Sequence, residues 1–121
     1  MSSEVHKFED LNVWKESVKL ARDIYRELRN CKDFGLRDQI QRSAVSIPSN
    51  IAEGFERHSN KEFIRFLYIA LGSCAELRTQ LYIAVDTEII EKVIGDLYLE
   101  KTRKISAMLS KYITTRIEKF S

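Results

Sequence analysis

Apolar residues recur three and four positions apart in four stretches of the chain, which is the spacing of one face of an α-helix. The pattern predicts helices over residues 11–29, 36–56, 60–85 and 87–119. The 121 residues include one proline and four glycines, whereas sheet-rich domains need many more turns. Four helices with short connections predict one all-α domain, an antiparallel up-down-up-down four-helix bundle spanning residues 1–121.

The first predicted helix carries two apolar lines, so its apolar surface is wider than the single stripe of a surface helix in a monomer. We interpret the second line, Val13, Leu20 and Ile24, as a contact with another copy of the chain. Asp10 is the predicted N-cap of this helix. The main line, which we expect to face the core, is Leu11, Trp14, Val18, Ala21, Tyr25 and Leu28.

The second predicted helix contains a segment, residues 43–55, in which Glu53 is the single charged residue. Pro48 either kinks a continuous helix or begins a new one, and the periodicity that runs through it favours the kinked helix. Interface cores are depleted in charge, so the segment predicts close helix contact, inside the bundle or between subunits of a homo-oligomer. The alternative is an exposed, weakly polar helix whose serines replace the hydrogen bond lost at the proline. The interface positions are Ser43, Ser46, Pro48, Ser49 and Asn50.

The third predicted helix has the clearest start, because Ser59 and Glu62 have the spacing of a capping box. Residues 66–75 carry no charge on any face, which predicts burial on all sides. Asp86 or Thr87 is the predicted cap of the fourth helix. The core face predicted for that helix is Ile90, Ile94, Leu97, Ile105, Met108, Tyr112 and Ile117.

Candidate chemistry is scarce, and we expect a protein without enzymatic activity, metal, cofactor or small-molecule substrate. Cys31 and Cys74 are far apart and have no metal-ligand spacing, so two free buried thiols are favoured over a disulfide or a metal site. His6 and His58 have no second ligand three or four residues away. Met1–Asp10 lacks the apolar core of a signal peptide, and no stretch is apolar enough to span a membrane, which predicts a cytoplasmic protein.

A family resemblance is carried by the central segment QIQRSAVSIPSNIAEG at residues 39–54 and extends to residues 8–15, 63–70, 72–73 and 76–77. These motifs resemble those of bacterial four-helix bundle proteins encoded in 23S rRNA intervening sequences, some of which are labelled ribosomal proteins. The resemblance implies a closed, left-handed bundle that assembles as a ring-shaped homopentamer. It also implies kinship with the accessory protein of diversity-generating retroelements, a basic pentamer that binds a reverse transcriptase and nucleic acid. The chain departs from the family pattern in its first loop, residues 30–35, and directly after Gly54.

The expected function is binding of structured RNA, or of another nucleic acid, by an oligomer. The formal net charge of +2 is too small to indicate this by itself, and basic helix ends are often solvated or paired with the helix dipole. The alternative is a protein-interaction adaptor, whose partner would be a nucleic-acid-processing protein such as a polymerase. The cations nominated for RNA contact are Arg37, Arg42, Arg57, Lys61, Arg65, Lys101, Arg103, Lys104 and Lys111.

Overall fold

The computed structural model describes residues 5–120, and within this range it contains helices and no strand. The all-α prediction is therefore confirmed. Met1 to Glu4, part of the segment predicted not to be a signal peptide, lie outside the described residues. Each helix packs against the next, and the first also packs against the last. None of the helices in this range is long and apolar enough to cross a membrane. After a 3₁₀ turn, Phe8–Asp10, the helices are α1 (Asn12–Glu27), α2 (Phe34–Glu56), α3 (Asn60–Asp86) and α4 (Lys92–Phe120).

All four helices contribute to one aliphatic core. Burying a side chain of this size contributes about 1.5–3 kcal/mol relative to leaving it in water, so these positions supply much of the driving force for folding. They alternate in steps of three and four along each helix, as the sequence pattern predicts. Core side chains that are at most 1% exposed include Leu20 and Ile24 of α1, Ile47 and Ile51 of α2, Leu67 and Leu77 of α3, and Ile105 and Leu109 of α4.

The second apolar line of α1 is its core face, so the prediction that it contacts another copy is wrong. Leu20 and Ile24 are at most 1% exposed, and Val13 is 4% exposed. Ser17 also lies on this line. It can be buried there because its hydroxyl donates a hydrogen bond to the carbonyl oxygen of Trp14 at 3.0 Å. A serine satisfied within its own helix packs as an apolar residue does, and a pattern of apolar residues alone does not include it.

The start of α1 also differs from the prediction. Asp10 ends the 3₁₀ turn, and the N-cap of α1 is Leu11, which makes no side-chain capping hydrogen bond. Asp33 caps α2 instead, and its carboxylate accepts a hydrogen bond from the amide of Leu36 at 3.2 Å. Because this cap precedes the apolar run, α2 begins two residues before the predicted start.

The predicted cap of α4 at Asp86 or Thr87 is wrong, because both residues end α3. Glu88 follows in the left-handed conformation, with φ of 64°. The amide of Ile89 then donates to the carbonyl oxygen of Ala84 at 2.8 Å, which is the hydrogen bond of a Schellman motif. Glycine usually occupies the left-handed position of this motif, so a glutamate there conceals the turn from sequence inspection. The helix α4 begins only after it.

The helix α2 continues through Pro48 without a break, as the favoured interpretation predicted. The hydroxyl oxygens of Ser46 and Ser73 lie 2.8 Å apart and join α2 to α3. The side-chain amide of Asn50 donates to the carbonyl oxygen of Ser46 at 2.8 Å and to its hydroxyl oxygen at 2.9 Å. The small polar residues of this segment therefore make a close helix contact inside the domain, which is one of the two contacts predicted for them.

Of the five predicted interface positions in this segment, two are buried inside the domain, Ser46 and Asn50 are half-buried, and one is exposed. Ser43 is 7% exposed and Pro48 is buried as well, so neither is available to another copy, while Ser49 is exposed. The close approach of α2 and α3 continues at Gly54, where an added Cβ would lie 2.5 Å from the Cβ of Phe66.

The predicted burial of α3 on all sides is not complete within one chain, because Tyr68 is 53% exposed and Ile69 is 39% exposed. The core face predicted for α4 is wrong at two positions. On α4, Leu97 and Ile117 are 53% and 40% exposed, and the core face lies one or two positions away. Helix rotation within a packed domain is set by the neighbouring helices, which a single amphipathic pattern does not identify.

We expect Gly54→Ala to lower the free energy of unfolding by about 1–3 kcal/mol, because the new methyl group would overlap an atom fixed to the α3 backbone. Gly35→Ala, in the first turn of the same helix, is the matched control. Its nearest neighbour would be 3.9 Å away, so it should raise stability by about 0.5–1 kcal/mol. Urea unfolding at one protein concentration measures both, and stabilisation by both substitutions would contradict the packing described at Gly54.

Candidate nucleic-acid interface

The nine cations nominated for RNA contact are spread over α2, α3, α4 and the C-cap of α2. Six of them have a carboxylate oxygen within 4.0 Å. Exposed ion pairs of this kind contribute little stability, but each reduces the positive charge that a phosphate would meet. The pairs are Arg37 with Asp38 at 2.9 Å, Arg57 with Glu53 at 3.0 Å, Arg65 with Glu62 at 3.1 Å, Lys101 with Asp23 at 3.4 Å, Arg103 with Glu100 at 3.4 Å, and Lys104 with Glu16 at 3.1 Å.

Arg57 and Arg65 each form an ion pair with a carboxylate and also lie over an aromatic ring. Their guanidinium carbons lie 5.1 and 4.5 Å from the centre of the Phe66 ring, within the range of a cation–π contact. The hydrogen bond from Arg65 lowers the pKa of Glu62 below its ordinary value. At the start of α3, Ser59 accepts from the Glu62 amide at 3.3 Å as predicted, while the Glu62 carboxylate accepts hydrogen bonds from Arg65. These two arginines thus help to hold the α2–α3 connection.

Lys101 and Lys104 join α4 to α1. The ammonium group of Lys104 donates to the carboxylate of Glu16 at 3.1 Å, and that of Lys101 donates to the carboxylate of Asp23 at 3.4 Å. The hydroxyl of Tyr98 adds a hydrogen bond to the carbonyl oxygen of Asp23 at 3.3 Å. The paired residues are 88 and 78 positions apart in the chain, so local spacing does not reveal that these lysines neutralise acids of another helix.

Arg42, Lys61 and Lys111 are the nominated cations that remain. All three are exposed, and no carboxylate of residues 5–120 lies within ion-pair distance of them. They belong to α2, α3 and α4 respectively. The structure therefore leaves three nominated cations without an ion pair, on three different helices.

The residues that could carry other chemistry are poorly placed for it. Cys74 is 0% exposed, its thiol donates to the carbonyl oxygen of Thr102 at 3.3 Å, and burial raises its pKa. Both cysteines are free thiols, but Cys31 is half-buried, so the prediction that both are buried is wrong for Cys31. Among the described residues, no group of three or more His, Cys, Asp and Glu side chains could hold a metal ion.

We expect an alkylating reagent at about pH 8, near the ordinary pKa of a thiol, to modify Cys31 in the folded protein and to leave Cys74 unmodified. Burial denies the reagent access to Cys74 and keeps its thiol protonated. Mass spectrometry after a timed reaction should show one modification in buffer and two in concentrated urea. Rapid modification of Cys74 in buffer would contradict the burial described here.

Comparison with known proteins identifies similar chains. The family model described as "23S rRNA-intervening sequence protein" matches residues 9–111. A crystal structure from Bacteroides thetaiotaomicron, of a protein with unknown function from the S23 ribosomal protein family, is 30% identical to the chain with a TM-score of 0.78. The similarity covers 84% of this chain and 97% of that one. No curated protein sequence matches the chain significantly.

Proposed function

The chain belongs to the 23S rRNA-intervening sequence protein family, and from this premise we propose that it is a non-enzymatic oligomer that binds structured RNA through exposed cations. The observation that carries the proposal is that exposed cations on more than one helix, Arg22 of α1 and Arg42 of α2 among them, have no carboxylate of residues 5–120 within 4.0 Å. Such cations attract phosphate groups and gain free energy from the counterions that the nucleic acid releases. Several copies in one assembly would add their fields.

An up-down-up-down course of the helices and assembly into a homopentamer are part of the same proposal. The course is supported where the beginning of α3 meets the end of α4, because Arg116 donates to the side-chain oxygen of Asn60 at 2.8 Å. Assembly is supported by uncharged residues on the exposed faces of neighbouring helices, including Tyr68 and Ile69 of α3. Gly72 lies on the same face, and an added Cβ there would have nothing within 4 Å. A glycine inside a helix costs about 0.5–1 kcal/mol, which close approach of a second helix would offset.

The same uncharged face supports the alternative function of a protein-interaction adaptor in the cytoplasm. Tyr68 and Ile69 on this face are 53% and 39% exposed, which would suit a protein partner as well as another copy of the chain. The kinship with the accessory protein of diversity-generating retroelements that the resemblance implies would fit this alternative through a polymerase partner, and would fit RNA binding through nucleic acid. Both candidate functions need no catalytic group, cofactor or metal ion.

We expect the purified protein to bind a labelled RNA hairpin in about 50 mM salt and to lose affinity on the order of 100-fold by about 200 mM, as four phosphate contacts would require. Fluorescence anisotropy across a salt series measures this. Absence of binding at the lowest salt, or affinity that does not respond to salt, would contradict RNA binding through cations. In that event, a protein that co-purifies after nuclease treatment would favour the adaptor.

We expect sedimentation analysis to give a mass several times the 14.2 kDa of one chain, and Ile69→Lys to lower it by placing a charge on the uncharged face of α3. The matched control is Leu97→Lys on α4, because Leu97 is also exposed. The control should keep the mass of the unmodified protein. A 14.2 kDa monomer, or an equal loss of mass in both variants, would contradict the proposed interface.

A further inference from the structure

Four basic residues form a line along the exposed side of α1, and we call this line the α1 basic row. Its members are Lys15, Lys19, Arg22 and Arg26, at alternating steps of four and three, and all four are exposed. With 3.6 residues per turn and a rise of 1.5 Å per residue, they fall within an arc of about 60° and extend over about 17 Å. Arg29, which is also exposed, follows just beyond the end of the helix.

The row keeps its charge because the acids of α1 lie to one side of it, and two of them are neutralised by α4. Lys104 pairs with Glu16, and Lys101 pairs with Asp23. Within residues 5–120, the one row member with a carboxylate inside 4.0 Å is Arg26, which is 3.8 Å from Asp23 and 70% exposed. The acids on that side of the row are Glu16, Asp23 and Glu27.

The opposite side of the row carries an exposed aromatic ring. Tyr25 was predicted to face the core, but it is 47% exposed. Trp14 lies on the same side of the helix, one turn before Val18. It is half-buried and packs edge-on against Phe8, with ring centres 5.4 Å apart. Cations beside an accessible aromatic ring are the combination that binds nucleic acid by phosphate contact and base stacking.

We propose that the α1 basic row binds the phosphate backbone of one strand of a structured RNA, and that Tyr25 stacks on an unpaired base beside it. The proposal rests on the proposed function and gives that function its contact surface. Neighbouring side chains in the row are about 5–6 Å apart at Cβ, which is close to the spacing of successive phosphates along a strand. Arg42, Lys61 and Lys111 offer no comparable line, because each lies on a different helix.

Burial of the apolar face of α1 argues against an anionic membrane as the ligand. A basic amphipathic helix binds a membrane by inserting its apolar face between the lipids. In this protein Leu20 and Ile24 on that face are at most 1% exposed, so insertion would require the core to open. An RNA strand needs only the cations and the exposed ring, both of which are accessible in the folded domain.

The test compares two double variants that each remove two positive charges. Lys19→Gln with Arg22→Gln removes the middle of the row, and Lys61→Gln with Lys111→Gln is the matched control on α3 and α4. All four residues are exposed and have no carboxylate of the described range within 4.0 Å, so both variants should keep the melting temperature of the unmodified protein. For a labelled RNA hairpin, the row variant should lower the slope of log affinity against log salt by about two and the affinity by at least about tenfold. The control should change both values much less.

The possible outcomes distinguish failure of the α1 basic row as the contact surface from failure of RNA binding itself. Failure of the unmodified protein to bind the hairpin contradicts the proposed function itself. Binding that the row variant retains, or loses no more than the control does, overturns the row as the contact surface while RNA binding stands. Binding to vesicles that contain phosphatidylserine as tightly as to the hairpin, with no binding to vesicles of phosphatidylcholine alone, would also overturn the assignment to RNA.

The aromatic part of the proposal has its own readout. Tyr25→Ala should lower affinity for the hairpin about tenfold, whereas Tyr25→Phe should retain it, because stacking uses the ring and not the hydroxyl. A fully paired RNA duplex with no unpaired base should bind all three proteins equally. Unchanged hairpin affinity in Tyr25→Ala would show that Tyr25 does not stack on a base.

Discussion

Lys104 and Lys101 of α4 form ion pairs with Glu16 and Asp23 of α1 at 3.1 and 3.4 Å. These ion pairs between the two helices determine where positive charge remains on the surface. Pairs as exposed as these contribute at most about 1 kcal/mol each to stability. Their main effect is on charge distribution, because the lysines of α4 are neutralised while the cations of α1 lose the acids that would otherwise compensate them. A nearly neutral chain thereby acquires one distinctly basic helix face.

The core fixes which way that face points. Val13, Leu20 and Ile24 are at most 4% exposed, and Ser17 fills the remaining core position of α1 with its hydroxyl satisfied inside the helix. Residues on this line lie on the opposite side of the helix from the α1 basic row, so rotating the row inward would expose the most deeply buried apolar side chains of α1. The close contact of α2 with α3 through Ser46, Ser73 and Gly54 involves no residue of α1.

Local patterns predicted the four helices, the Ser59 cap, the continuity of α2 through Pro48 and much of the core, because spacing and capping depend on neighbours in sequence. They failed where a residue occupies a position that another residue type usually takes. Ser17 lies on the core line of apolar residues, and Glu88 adopts the left-handed conformation that glycine usually takes. They also failed at the candidate site, since the partners of Lys101 and Lys104 are 78 and 88 residues away. The spacing of the α1 basic row was present in the sequence, but interleaved acids concealed it until the structure assigned two of them to α4.

Lysine footprinting tests most directly whether the row is where RNA binds. Brief acetylation with and without saturating RNA hairpin, followed by peptide mass spectrometry, reports the accessibility of each lysine in one unmodified protein. If the account is correct, RNA protects Lys15 and Lys19, while Lys61 and Lys111 stay as reactive as in the free protein. Protection of Lys61 and Lys111 with continued acetylation of Lys15 and Lys19 would place the contact on α3 and α4 and contradict the account.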